Sequence, residues 1–230
     1  MTCNIVCITN GARPRLLEQT LRTLYWNTPS FNLVVVCDGH GGIEGSEGLS
    51  HLMAINASVI AITPCNIVGR LKNLGAYWAE KHFGRGEWIC FIDDDLCFEP
   101  YWLNRMKNAM TANNQLRILG GVRHPYHGVN DKHRYLDVER GVDWDETDAV
   151  AGYCHFMRWS TWDKFGPYDA NAKGTGQSED YAICRKVVEA GGAVGYIHPP
   201  VMAHCGITDS QGKRILGAEL IEQVPGVIYE

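Results

Sequence analysis

WICFIDDDLCFEP, residues 88–100, is the stretch that orients the rest of the chain. Its first five residues, Trp88 to Ile92, form an unbroken apolar run, the pattern of a strand buried on both faces. The run ends in Asp93, Asp94 and Asp95. Three adjacent carboxylates repel one another, and a charge withdrawn from water is costly unless it is compensated. The simplest compensation is a hard divalent cation, Mg²⁺ or Mn²⁺, of the kind that also binds substrate phosphates. If the chain stays extended, side chains alternate, so Asp93 and Asp95 face one ion while Asp94 faces away. The plainer alternative is a solvated acidic turn. Placement directly after a buried strand favours the metal or phosphate role.

Working outward, NIVCIT (4–9), LVVVCDG (33–39) and ASVIAI (57–62) read as further strands. Leu16, Leu17, Thr20, Leu21 and Leu24 recur at helical spacing, 69–84 reads as a loop leading into a helix, and a further helix is expected over 100–113. Strands alternating with helices predict an α/β fold with a largely parallel sheet. In such sheets ligands collect beyond the carboxyl ends of the strands, which is where Asp38 and the three acids fall. The second half is less periodic. A polar insert (123–148), a strand over 149–159, a glycine loop (171–177), a helix over 178–192 opened by Ser178, Glu179 and Asp180, and a final strand and turn (193–206) are expected.

The 230 residues suit one domain, or one domain with a sizeable insertion. Hydrophobic residues make up 45% and charged residues 20%, the balance of a soluble globular chain. No segment approaches the ~18 apolar residues of a membrane span, and the N-terminus lacks the pattern of a secretory signal. A net charge of −5 argues against nonspecific nucleic-acid binding through overall charge. The nine cysteines include no Cys-x-x-Cys, and Cys3, Cys7, Cys37 and Cys90 sit in apolar runs, which fits buried thiols of a reducing, cytoplasmic setting.

Six segments in order carry a family resemblance: NIVCITNGARPRLLEQTLRTL, VVVCDG, GRLKNLGAYWA, FIDDD, GQSEDYAICRKVVEAGG and VMAHCG. Together they resemble a glycosyltransferase of the GT-A fold, closest to family 2, over residues 4 to about 206. The first loop departs from the pattern, reading TNGARP where the family usually has a Pro-Tyr-Asn type of turn. The resemblance implies a mostly parallel, Rossmann-like central sheet flanked by helices, in a single domain (1–230) with a nucleotide-sugar-binding half (1–113) and an acceptor-side half (114–230). It also implies a metal-dependent, inverting transfer of a sugar from a nucleoside diphosphate sugar, with a UDP-sugar expected. It assigns Asp38 to the nucleobase, Asp93 to the ribose or metal, and Asp95 and His204 to Mn²⁺ or Mg²⁺. Asn73 belongs to an Asn-x-Gly that precedes the donor-covering helix, Asp94 is left to contact the donor, and Asp180 becomes the general base. Arg70 is added here as a cation for the diphosphate.

Each assignment has a structural alternative. Asp180 suits a helix N-terminus, His204 a hydrogen-bonded core position, and Asp38 a turn before Gly39. Trp159 and Trp162 suit either the core or an acceptor ring. The basic insert, with Arg117, Arg123, His124, Lys132, His133, Arg134 and Arg140, is either a solvated loop or a contact for an anionic acceptor such as nucleic acid. The acceptor itself stays open among glycan, small molecule and nucleic acid. The alternatives in function are a retaining transferase, a Mg²⁺-dependent nucleotidyltransferase and a noncatalytic nucleotide-sugar-binding module. No Gly-x-x-x-x-Gly-Lys-Ser/Thr loop is present to favour phosphoryl transfer.

Overall fold

The computed structural model describes residues 2–39, 57–123, 133–137, 142–172 and 179–206. The glycine-rich stretches, Ser178 and most of the basic insert, including His124, Lys132 and Arg140, lie outside the described residues.

The elements run β1 (Cys3–Thr9), α1 (Pro14–Asn27), β2 (Phe31–Asp38), β3 (Ala57–Ile62), α2 (Val68–Phe83), β4 (Trp88–Asp93), β5 (Leu96–Phe98), α3 (Trp102–Ala112) and β6 (Leu116–Gly120). They continue with β7 (His133–Asp137), β8 (Val142–Thr147), β9 (Cys154–Arg158), α4 (Trp159–Phe165), α5 (Glu179–Glu189), β10 (Ala193–Ile197) and β11 (Met202–His204). Nine strands form one sheet in the order β3-β2-β1-β4-β9-β6-β10-β8-β7. Only β9 and β8 oppose the common direction, so the sheet is mostly parallel, as expected.

The apolar runs explain the layering. Along β4, Trp88, Cys90 and Ile92 enter one core with Leu17, Leu21 and Leu24 of α1 and Trp102 and Met106 of α3. Ile89 and Phe91 enter the opposite core with Leu71 and Ala76 of α2, Phe165 of α4 and Ile183 and Val187 of α5. A strand covered on both faces has no polar positions to offer, hence its continuous hydrophobicity. Gly75 lets α2 settle onto the sheet: a Cβ there would lie 2.1 Å from Val6 Cγ1.

From β1 the chain moves outward through β2 to β3, then returns to the other side of β1 as β4. The order therefore reverses between β1 and β4. Such a switch point opens a crevice at the strands' carboxyl ends.

The structure corrects the sequence reading in three places. The 149–159 segment is extended only over Cys154–Arg158, and Trp159 opens a helix. Both tryptophans pack inward: Trp159 is buried, and Trp162 lies 5.0 Å from the Phe91 ring and 5.3 Å from that of Tyr168. Strands also run through the insert, where β7 and β8 pair antiparallel at the sheet edge. Finally, β5 pairs with β11 as a separate two-stranded ribbon, with His204 opposite Leu96.

Candidate active site

The crevice is a cavity of about 480 Å³ at the switch point, lined by Thr9, Asn10, Arg13, Asp38, Asp93 and Asp94 among others. This is the size of a site for a small organic ligand. Two acidic strand ends, Asp38 of β2 and Asp93 of β4, do converge on it.

Asp38 is buried, and its carboxylate accepts the amide N–H groups of Cys65 (2.7 Å) and Asn66 (2.8 Å). It fixes the loop between β3 and α2 and so shapes one wall of the cavity. An ionised carboxylate has about four lone-pair sites, so capacity remains for a ligand.

Alternation fails after Asp93. The strand ends there and the chain bends over Asp94 and Asp95. Both acids meet the same guanidinium: Arg13 donates from Nη2 to Asp94 Oδ1 (2.7 Å) and from Nη1 to Asp95 Oδ2 (2.8 Å). Thr9 donates its hydroxyl to Asp94 Oδ2. Asp93 remains on the α2 face, where Lys72 is its main opposing charge. The three acids are thus divided between Arg13 on one face and Lys72 on the other. This corrects the pairing of Asp93 with Asp95.

Lys72 is fully buried, with Nζ 3.0 Å from Glu179 Oε1, 2.9 Å from the Gly152 carbonyl and 5.0 Å from the centre of the Tyr168 ring. Burial pulls its pKa down, yet Glu179, Asp93 and Asp180 outweigh burial and leave it above the ordinary lysine value. Burial, reinforced by Asp95, pushes Asp94 up to about 6 despite Arg13. Burial also raises Asp93, with Lys72 opposing. Two internal cations therefore do not fully compensate a site holding Asp93, Asp94, Asp95, Glu179 and Asp180. A further positive charge would be stabilised here.

His204 arrives through the β5–β11 ribbon, and the Cys205 amide donates to the Asp95 carbonyl (2.7 Å). Its Nε2 lies 3.4 Å from Asp95 Oδ1, an oxygen that is buried without a hydrogen-bond partner. Ligands about 2.1 Å from one ion at near-tetrahedral or octahedral angles stand roughly 3.0–3.5 Å apart, so this pair fits a shared cation. Among the described residues no three of His, Cys, Asp and Glu converge on such a point. The pair would hold an ion only with oxygens from substrate or water. Asp93, assigned with them from the sequence, does not join them.

Asp180, in the first turn of α5, accepts the Gly152 amide (2.8 Å) and the Tyr181 amide (2.7 Å). A Cβ on Gly152 would sit 2.8 Å from Lys72 Nζ and 3.3 Å from Asp180 Oδ2, so the lysine and the candidate base share one small space. Asn73 is committed elsewhere: its amide both donates to and accepts from the Tyr168 backbone, at 2.9 Å each. Arg70 is exposed, between the lining residues Val68 and Leu71, and its Nε donates to the Ala170 carbonyl (3.2 Å). The sequence reading missed Arg13 and Lys72. Lys72 had a signal, a lysine at a buried helical position beside Leu71. Arg13 had none, because its contacts span about 80 residues.

Glycosyl transferase family 2 is the family whose model matches this chain, over residues 78–184. A search of curated proteins finds no match. Among solved structures, S. aureus TarS 1–349 in complex with UDP-GlcNAc superposes with a TM-score of 0.63 at 15% identity, covering 88% of this chain and 57% of that one. A mannosyltransferase from Pyrobaculum calidifontis in complex with GDP-Man and Mn²⁺ gives 0.58 at 14% identity, covering 86% and 54%. The chain thus spans little more than half the length of these structures. The likeness shows the GT-A architecture.

Proposed function

We propose that this GT-A chain, with its family 2 segment over 78–184, is a glycosyltransferase moving a sugar from a nucleoside diphosphate sugar to an acceptor hydroxyl. The observation that carries the reading is the under-compensated acidic tip at the sheet's switch point, where the buried Asp95 Oδ1 faces His204 at 3.4 Å. Donors named with the similar structures, UDP-GlcNAc and GDP-Man, are the first to test.

Asp38 and the loop it fixes form the nucleobase end of the cavity. Asp93 lies at the ribose. Asp95 and His204 would hold a divalent cation, Mn²⁺ ahead of Mg²⁺ because a nitrogen ligand favours the later metal. When bound, that cation supplies Lewis-acid stabilisation of charge on the leaving diphosphate. Arg70, exposed on the first turn of α2, is the solvent-side cation for the phosphates. Asp180 takes the acceptor proton in an inverting displacement, a step that contributes roughly 10²–10⁴ in rate. The Gly152 amide and the start of α5 orient its carboxylate. The cation pair draws Asp95 from the donor half and His204 from the acceptor half, so the two halves build one site.

The test is a thermal-shift panel of nucleotide sugars with and without Mn²⁺, followed by NMR of the product anomer for any donor that binds. Stabilisation by one donor only with Mn²⁺, and an inverted product, are expected. Binding without transfer to any acceptor or water would leave a binding module, and a retained anomer would remove Asp180 as base.

A further inference from the structure

The acidic tip already holds a cation of its own. Arg13 stands immediately before Pro14, at the N-cap of α1. Its side chain is 17% exposed, and it joins two carboxylates that are 4% and 5% exposed. Three segments fix this pair. The end of β1 supplies the Thr9 hydroxyl, which donates to Asp94. Helix α1 supplies the Thr20 hydroxyl, which accepts the Leu96 amide at 3.0 Å. The chain after His204 closes over the pair, since a Cβ on Gly206 would lie 2.2 Å from Asp95 Oδ2 and 2.8 Å from Arg13 Nη1. A single carboxylate, Asp95, therefore offers Oδ2 to the guanidinium and Oδ1 to the His204 side, where the cation of the proposed function would sit.

A dication and a guanidinium on opposite oxygens of one buried carboxylate repel each other, and each weakens the other's hold on it. We infer that Arg13 is an internal counter-cation that competes with divalent metal for Asp95, so that the protein alone binds metal weakly and takes it up together with a diphosphate. The diphosphate brings the negative charge that both cations need. The inference rests on the cation site of the proposed function and adds to it the order in which metal and nucleotide bind.

The test is Mn²⁺ binding followed by electron paramagnetic resonance of the free ion, on wild type, Arg13→Met and Arg13→Lys, first with Mn²⁺ alone and then with UDP. Arg13→Met is expected to bind Mn²⁺ alone roughly tenfold more tightly than wild type, a change on the scale of one screened like-charge contact. Arg13→Lys keeps the charge and is expected to stay near wild type. UDP should tighten Mn²⁺ binding strongly in wild type and less in Arg13→Met. Near-ultraviolet circular dichroism checks that each variant is folded. Equal or weaker Mn²⁺ affinity in folded Arg13→Met overturns the inference, because Arg13 would then organise the site rather than compete for it. An equal gain in Arg13→Lys also overturns it, because charge would not be the cause. If UDP changes Mn²⁺ affinity in no protein while Arg13→Met alone gains, competition for Asp95 stands, but joint uptake with a diphosphate and the nucleotide-sugar reading both fail.

Discussion

Replacing Lys72 with methionine removes a positive charge from the centre of the molecule while nearly preserving its volume. The ammonium touches Glu179 at 3.0 Å and the Gly152 carbonyl at 2.9 Å and is wholly buried. Removing one partner of a buried ion pair costs about 3–5 kcal/mol, because the remaining charge is stranded. The Glu179 side chain retains 13% exposure, enough for water to reach it, so the lower end, about 3 kcal/mol, is expected. At this chain length that corresponds to roughly 6–12 °C in Tm. Urea denaturation monitored by fluorescence should show the lost stability at an unchanged m-value. Adding Glu179→Gln removes the stranded charge and should restore about 2 kcal/mol, a coupling that a double-mutant cycle isolates. A loss below about 1 kcal/mol in Lys72→Met, or a double variant no more stable than the single one, would refute the reasoning that this pair is closely coupled.

Further outcomes follow from other contacts. Asp180→Asn should bind donor as wild type does but lose transfer by about 10²–10⁴, and undiminished turnover would remove Asp180 as base. His155 is buried with Nε2 2.8 Å from the Val150 carbonyl, which fixes the proton on Nε2 and leaves Nδ1 to accept the Tyr168 hydroxyl (2.9 Å). Burial, aided by Lys72, lowers its pKa to about 4. Because this pKa is lower folded than unfolded, its contribution of about 3 kcal/mol is complete above the unfolded pKa of ~6.5 and is lost as pH falls toward 4. NMR should find its ring neutral at pH 5.5, and a titration midpoint near ~6.5 would contradict the assignment. Gly75→Ala should destabilise by about 1–3 kcal/mol, because the added methyl meets Val6 and α2 must lift from the sheet. Unchanged stability in denaturation would show that the helix can shift freely.

Much of this architecture is written in local pattern. The runs ending at Thr9, Asp38 and Asp93 are apolar because both faces of their strands are covered. Helix α1 was readable from five positions, Leu16, Leu17, Thr20, Leu21 and Leu24, all of which are buried. The β8 strand was also legible in principle: Val142 and Trp144 point inward while Asp143 and Asp145 are half-buried, a period of two hidden among charged residues. Strand β6 is short and follows a helix closely, so it carried little signal. What pattern could not supply were contacts between distant segments. The bend at Asp94 turns the acidic side chains away from strand alternation, and Arg13 and Lys72 find them from two other elements. Asn73 stands out as a motif residue, but its commitment to the Tyr168 backbone depends on a loop 95 residues away. His204 is legible only through the family resemblance, because the β5–β11 ribbon that carries it to Asp95 is a pairing of two three-residue strands.

The most direct measurement is anomalous diffraction at the manganese edge from crystals grown with UDP and Mn²⁺. A single peak roughly 2.2 Å from both Asp95 Oδ1 and His204 Nε2, with the diphosphate completing its coordination, is the expected result. A nucleotide bound in the crevice with no manganese at that point, or manganese bound elsewhere on the chain, would contradict the account.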